Sequence, residues 1–203
     1  MLPMLVAVNL SKGAIAMSKK DVIVKRLNSI QNFGAMDVLC TDKTGTLTEG
    51  KIILVKCVDG EGKDSEEVFL NAYVNSYFES GIKNPLDNAI REFKREDIKR
   101  FKKVDEVPFD YSRKRGSIVV DDKKDGRVII TKGMPEEIFK ICSHYREFGA
   151  HLSDRFRKGI FDVYEDLSGR GFRVLAIAKK NLKEKKNVYS KKDEKEMTFV
   201  GFA

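Results

Sequence analysis

The stretch Met36-Asp37-Val38-Leu39-Cys40, followed at once by Thr41-Asp42-Lys43-Thr44-Gly45-Thr46-Leu47-Thr48, limits the choice of fold more than any other part of the chain. The apolar run is too short for a helix and is bounded by Gly34 and Gly45. It is predicted to be a buried strand with Asp42 at its carboxyl end. In open α/β sheets, chemistry gathers at that end of the strands. A carboxylate there is ionised at neutral pH and can attack a phosphorus atom directly, giving an aspartyl-phosphate. Gly45 permits a sharp turn, while Thr44, Thr46 and Thr48 offer hydroxyls and the loop offers N–H groups to phosphate oxygens. Lys43 adds a positive charge beside the incoming anion. Residues 45–51 also fit the spacing of a phosphate loop, but Ile52-Ile53-Leu54-Val55 follows where that motif needs Ser or Thr and a helix. The phosphate loop is rejected.

Residues 41–48 resemble the phosphorylation signature of the P-type ATPases, ion pumps that pass through an aspartyl-phosphate. The resemblance continues on both sides and covers essentially the whole chain. Val22-Ile23-Val24-Lys25 and Ile30-Gln31-Asn32-Phe33-Gly34 are most similar to the bacterial-type magnesium-importing branch. The implied fold is α/β and α+β. Residues 1–20 would be the cytoplasmic end of the fourth membrane helix, and 21–50 the first, incomplete piece of a haloacid-dehalogenase-like phosphorylation domain. Residues 51–203 would be the nucleotide-binding domain, an antiparallel sheet flanked by helices. Related hydrolases carry an acid–base Asp two places after the nucleophile. Thr44 stands there and has no useful pKa, so a phospho-aspartate at Asp42 is expected to persist. The resemblance implies that Asp42 and the Thr44 carbonyl hold Mg²⁺ with an aspartate of a later Gly-Asp-Gly motif, which these 203 residues do not contain. On that ground the chain is read as a fragment.

Composition is consistent with one or two soluble domains: 41% hydrophobic and 34% charged residues in 203. The formal net charge of +8 gathers at the start and over 179–195, without the interleaved aromatics of a nucleic-acid binder. Cys40, Cys57 and Cys142 have no paired spacing, which argues against a disulfide or metal framework. His144 and His151 read as surface residues. The apolar start is interrupted by Asn9, Ser11, Lys12 and Gly13 and falls short of a full membrane span. By resemblance the parent sits in the cell membrane with this portion on the cytoplasmic side.

The pattern predicts a helix over 1–20, a strand at 22–24, a helical turn at 27–31 and a strand at 52–58. Asp59-Gly60-Glu61-Gly62 then forms a turn. Ser65 caps a helix to about residue 79, and Asn84-Pro85 opens another. Strands follow at 104–109, 116–120 and 128–131, then a helix over 135–145. Ser153 caps a helix with Phe156, Ile160, Val163 and Leu167 inward, ended by Gly169. A strand at 174–178, a mobile lysine-rich loop at 179–196 and a last strand at 197–203 complete the chain. Antiparallel strands with helices on one side are expected.

Within that lobe, Thr131-Lys132-Gly133-Met134-Pro135-Glu136 is similar to the family's Lys-Gly-Ala-Pro-Glu motif, with Met134 in the alanine place. The resemblance implies that Lys132 lines an adenine pocket and that Gly133 lets backbone approach a ligand; otherwise this is a strand-to-helix turn with a snorkelling lysine. In Val107-Pro108-Phe109-Asp110-Tyr111-Ser112-Arg113-Lys114-Arg115, Phe109 aligns as the adenine stacker and Lys114 as a nearby cation. Tyr111 competes with Phe109 for the base, and Phe109 as core is the alternative. Asp87 aligns with the acceptor of the adenine amino group, or simply satisfies a helix dipole. Arg173, with Arg170 in reserve, aligns with the arginine that contacts the phosphate chain. The implied activity is an ATP-driven cation pump using ATP and Mg²⁺, with Mg²⁺ as cargo and a proton or calcium as alternatives. A stand-alone phosphatase and a non-catalytic nucleotide-binding module are the other classes weighed. The chain alone is expected at most to bind nucleotide.

Overall fold

The computed structural model describes residues 2–43, 45–48, 50–81, 84–145, 150–186 and 188–203. They form two compact units, Met1–Gly50 and Lys51–Ala203. In the first, α1 (Leu2–Ser18) is followed by the short α2 (Ser29–Phe33), and the two meet where Gly13 comes against Ile30. No described helix is long and apolar enough to cross a membrane. The strands expected at 22–24 and 36–40 are not formed. Ile23, Val38 and Leu39 are 87%, 79% and 73% exposed. A strand needs neighbours to satisfy its N–H and C=O groups, and no described strand lies in this unit.

The second unit is built on one sheet. β2 (Phe101–Asp110), β3 (Arg115–Asp122) and β4 (Gly126–Gly133) form an antiparallel meander with Asp122 opposite Gly126. β7 (Ala176–Asn181) pairs antiparallel with β4 and with β8 (Met197–Phe202). The other edge of β8 is shared. Its first half runs parallel to β5 (Cys142–Tyr145), which pairs with β6 (Ala150–His151), and its last residues run antiparallel to β1 (Val58–Asp59). That sharing explains two differences from the sequence reading. Only the end of the 52–58 run finds a ladder, because β5 occupies the rest of the edge. The helix expected over 135–145 stops at Ile141, because residues 142–145 pair with β8 instead.

Strand residues alternate between two cores, as the period of two requires. Ile118, Val120, Ile130 and Ile177 face α3 (Glu66–Phe78) and α4 (Pro85–Phe93). Val119, Ile129, Ala176 and Ala178 face α5 (Pro135–Ile141) and α6 (Asp154–Gly169). Helices therefore cover both faces rather than one. Two side-chain caps form: Ser65 Oγ accepts from the Val68 N–H, and Asn84 Oδ1 from the Leu86 N–H at 3.0 Å, whereas Ser153 stands at the start of α6 without a side-chain cap hydrogen bond. Asn75 is buried and donates to the Ile130 carbonyl at 2.8 Å, tying α3 to β4. Cys57 and Cys142 are buried, and burial pushes both thiols up to about 12.

The lysine-rich 179–196 run is anchored rather than loose. Its first three residues finish β7, Tyr189 is buried with its N–H donating to Asp105, and Ser190 and Asp193 form a capping box around a short 3-10 turn. Glu194, 2% exposed, inserts beneath the β2–β3 turn.

Candidate functional site

A cleft of about 720 Å³ opens where the β2–β3 turn, the end of β4, the start of α4 and the chain leaving α6 come together. The elements that bound it explain its shape. The β2–β3 turn is held by Asp110, whose carboxylate accepts from the Ser112 N–H and hydroxyl at 2.9 and 2.8 Å and from Lys191 Nζ at 2.6 Å. Lys191 above all holds the Asp110 carboxyl well below the usual range. Lys114 takes a left-handed conformation, φ +49°, closed by its N–H onto the Asp110 carbonyl at 2.6 Å. Its own carbonyl accepts from the Met134 N–H at 3.0 Å, which ties the turn to the start of α5. A Cβ on Gly133 would lie 2.5 Å from Arg115 Cβ and 2.6 Å from the Lys114 carbonyl oxygen. Glycine is thus required there by the approach of β3, a more local reason than backbone near a ligand.

Phe109, Lys114, Lys132, Gly133 and Arg173, five of the six residues aligned to a nucleotide site, line this one cleft. Phe109 is half-exposed and Tyr111 almost fully so, their rings edge-to-face at 5.4 Å, and both line it. Arg173 is exposed on the opposite wall; Arg170 is turned aside to Asp166 and to the face of Phe172. The sixth residue, Asp87, is 7% exposed and sits behind Lys132.

Lys132 is buried. Its ammonium donates to Ser76 Oγ at 3.0 Å, to Glu79 Oε2 at 3.1 Å and to Asp87. One cation therefore meets two carboxylates, and of these only Glu79 lines the cleft. Burial pushes the Glu79 carboxyl up, against the pull of Lys132. This end of the cleft is polar and acceptor-rich, while Leu86, Met134, Phe172 and Val174 make its walls apolar. Such a mixture suits a flat, partly polar ring. The first turn of α5 supplies its own anions, Glu136 held by the Tyr164 hydroxyl at 2.7 Å and Glu137 by Lys140 at 2.6 Å. Glu79, Tyr164 and Phe172 were not singled out from the sequence. Tyr164 had a signal, one helical turn beyond Ile160; Glu79, the residue that ends α3, had none.

In the first unit, Asp42 lies on an exposed loop and accepts the Lys43 N–H on Oδ1 at 2.7 Å. Its Oδ2 carries no hydrogen bond among the described residues. The Lys43 carbonyl accepts from the N–H groups of Leu47 and Thr48 at 3.0 and 3.2 Å, closing a compact turn through Gly45 at φ +77°. Thr46 is exposed on that turn, and Thr44 lies outside the described residues. Among the described residues no three His, Cys, Asp or Glu side chains converge as a metal site.

Residues 53–203 match the family model for P-type ATPase, cytoplasmic domain N. A magnesium-transporting ATPase, P-type 1, of Escherichia coli K12 is 43% identical over 209 residues, covering 100% of this chain and 23% of its own length. A protein of the same name from Salmonella typhimurium LT2 is 47% identical over 211 residues, 99% of this chain and 23% of its own. Plasma membrane ATPase 2 of Schizosaccharomyces pombe is 29% identical over 185 residues, 88% of this chain and 18% of its own. The chain thus spans about a quarter of the length of the magnesium-transporting relatives.

Proposed function

The chain belongs to the P-type ATPases, and from that premise we propose that the cleft of its second unit binds ATP, whose γ-phosphoryl group passes to Asp42 in the whole pump. The observation that carries this reading is the cleft itself, with an aromatic pair, a buried lysine–carboxylate cluster and two exposed cations around one cavity. Adenine enters between the apolar walls and stacks on Phe109, with Tyr111 closing over its edge; such stacking is worth roughly 1–3 kcal/mol per base. Its amino group meets the polar end formed by Glu79, backed by Lys132 and Asp87. The Lys132 ammonium is already committed to those carboxylates, so the phosphate chain is met by Lys114 and Arg173.

In the transfer step, an Asp42 oxygen forms a bond to the γ-phosphorus while the bond to the β,γ-bridging oxygen breaks, and ADP leaves with that electron pair. The Lys43 N–H on Oδ1 orients the carboxylate, and Oδ2, which meets no donor among the described residues, makes the attack. Lys43 and the Thr46 hydroxyl face the incoming phosphoryl oxygens. An exposed carboxylate is a hard oxygen ligand that suits Mg²⁺, so Asp42 would hold it, together with the Thr44 carbonyl that the family resemblance implies. When bound, the ion neutralises charge on the transferring group. Thr44 offers no acid or base, so the acyl phosphate outlives the transfer. In the parent, residues 1–20 join a membrane helix, 21–50 belong to the phosphorylation domain, and phosphorylation drives cation movement across the cell membrane. Identities of 43–47% to magnesium-transporting relatives favour Mg²⁺ as cargo over a proton or calcium.

Titrating the chain with ATP and following it by NMR should shift the rings of Phe109 and Tyr111 and the backbone of Lys132 first. Steady hydrolysis should be undetectable. An ATP-dependent shift map centred elsewhere sinks the nucleotide reading. For Asp42, acid-quenched membranes carrying the full pump and labelled ATP should give a hydroxylamine-sensitive adduct that Asp42→Asn abolishes.

A further inference from the structure

The run Arg113-Lys114-Arg115 puts three positive charges in a row, yet only the middle one is turned to the cleft. The outer two are taken up by Glu194, whose side chain is fully buried. Arg113 Nη1 donates to Glu194 Oε2 at 2.6 Å and Arg115 Nε to the same oxygen at 2.9 Å. Oε1 accepts from the Ser117 hydroxyl at 2.7 Å. Ser117 and Thr131 hydroxyls lie 2.7 Å apart, and since Ser117 gives its proton to Glu194, Thr131 donates to Ser117. One carboxylate from the 188–196 strap thus gathers both arginines and two adjacent strands. The strap holds β2 twice more, through Lys191 on Asp110 at the turn and the Tyr189 N–H on Asp105 within the strand.

The geometry points to Glu194 as a positioning residue for nucleotide binding: it draws Arg113 and Arg115 inward and so fixes the turn with Lys114 facing the cleft. The inference rests on the proposed ATP site. Lys114 is held in a left-handed conformation that a non-glycine residue adopts at a cost, and it persists because the surroundings over-determine it. Glu194 is the centre of those surroundings. Without it, Arg113 is left with Asp110 and the Pro108 carbonyl and Arg115 with Glu137, both lose their buried partner, and the turn between them is loosened. Lys114 then loses its fixed aim at the phosphate chain. Phe109 keeps its place, because it lies within β2 and its backbone is packed against Gly116 of β3.

Glu194→Gln in the full chain, titrated with ATP and separately with adenosine, separates these roles. ATP affinity should fall about tenfold, the scale of one charge-assisted contact. Adenosine affinity should stay within about twofold. In a Lys114→Ala background the same change should cost no further ATP affinity. Amide exchange should quicken at Lys114 and Met134, whose N–H groups close the turn. Lys191→Met, at a surface position, should give the same pattern more weakly and serves if Glu194→Gln fails to fold. Unchanged ATP affinity in folded Glu194→Gln, or equal loss for ATP and adenosine, overturns the positioning role and leaves the ATP site standing. An unaltered chain that binds neither ligand overturns the ATP site, and this inference with it.

Discussion

Two buried ionisable groups order the side chains of the cleft, and each meets more opposite charge than it carries. Lys132 faces Glu79 and Asp87; Glu194 faces Arg113 and Arg115. Removing the Lys132 charge is costly, because two carboxylates are left close together and mutually repelling, whereas Arg113 and Arg115 also meet Asp110 and Glu137. Lys132→Met should therefore lose about 3–5 kcal/mol in urea unfolding at neutral pH. Glu79→Gln should cost little at neutral pH, since one cation still meets Asp87. The Glu79 carboxyl is raised in the fold, so its contribution is fully present below the ordinary glutamate value and is lost as pH rises through the folded value. Stability of the glutamine variant should accordingly vary less with pH across that window than that of the unaltered chain. A steeper slope in the variant would contradict the assignment. Phe109, Lys114, Lys132, Gly133 and Arg173 were legible in the sequence because each sits in a continuous motif. Glu79 and Glu194 were not, because their partners are 53 and 79 residues away along the chain.

At the scale of elements, the exit from α6 shapes one wall of the cleft. The sequence suggested Gly169 as the stop, but the helix includes it, and Gly171 takes the left-handed conformation at φ +85°. The Gly171 N–H donates to the Ser168 carbonyl and the Phe172 N–H to the Leu167 carbonyl, and Phe172 packs on the core that holds Leu167. This is the Schellman arrangement, which satisfies carbonyls the helix leaves unpaired. It also delivers Phe172, Arg173 and Val174 to the cleft. Gly171→Ala should lose about 1–2 kcal/mol, the cost of a Cβ in that conformation. Gly169→Ala has open space around it and should gain about 0.5–1 kcal/mol from reduced backbone freedom in the unfolded chain. Thermal unfolding midpoints of the two variants should move in opposite directions. Two adjacent candidates in a Gly-Arg-Gly run could not be told apart locally, since only the hydrogen bonds of the finished turn choose between them.

The whole molecule divides at Gly50 into a sheet-based unit with two cores and a unit of two helices and exposed loops. In the latter, apolar side chains such as Ile23, Val38 and Leu39 lie open and few long-range contacts restrain the backbone. Local opening is cheapest where buried contacts are fewest. Limited proteolysis should therefore cut first within 21–56, and the surviving piece should keep its ATP-induced shifts. Mass spectrometry of the early fragments tests this; first cuts inside 101–133 would contradict it.

The sequence by itself determined the helix caps at Ser65 and Asn84, the β2–β3–β4 meander and five of the residues that line the cleft. All of these depend on neighbours a few places away. The tertiary structure alone decided which run shares the edge of β8, that helices cover both faces, that the lysine-rich strap is bolted down, and which of three consecutive cations looks into the cleft. Those outcomes turn on partners distant in the chain, such as Glu194 for Arg113 across 81 residues, and a periodic pattern carries no record of what will stand opposite it.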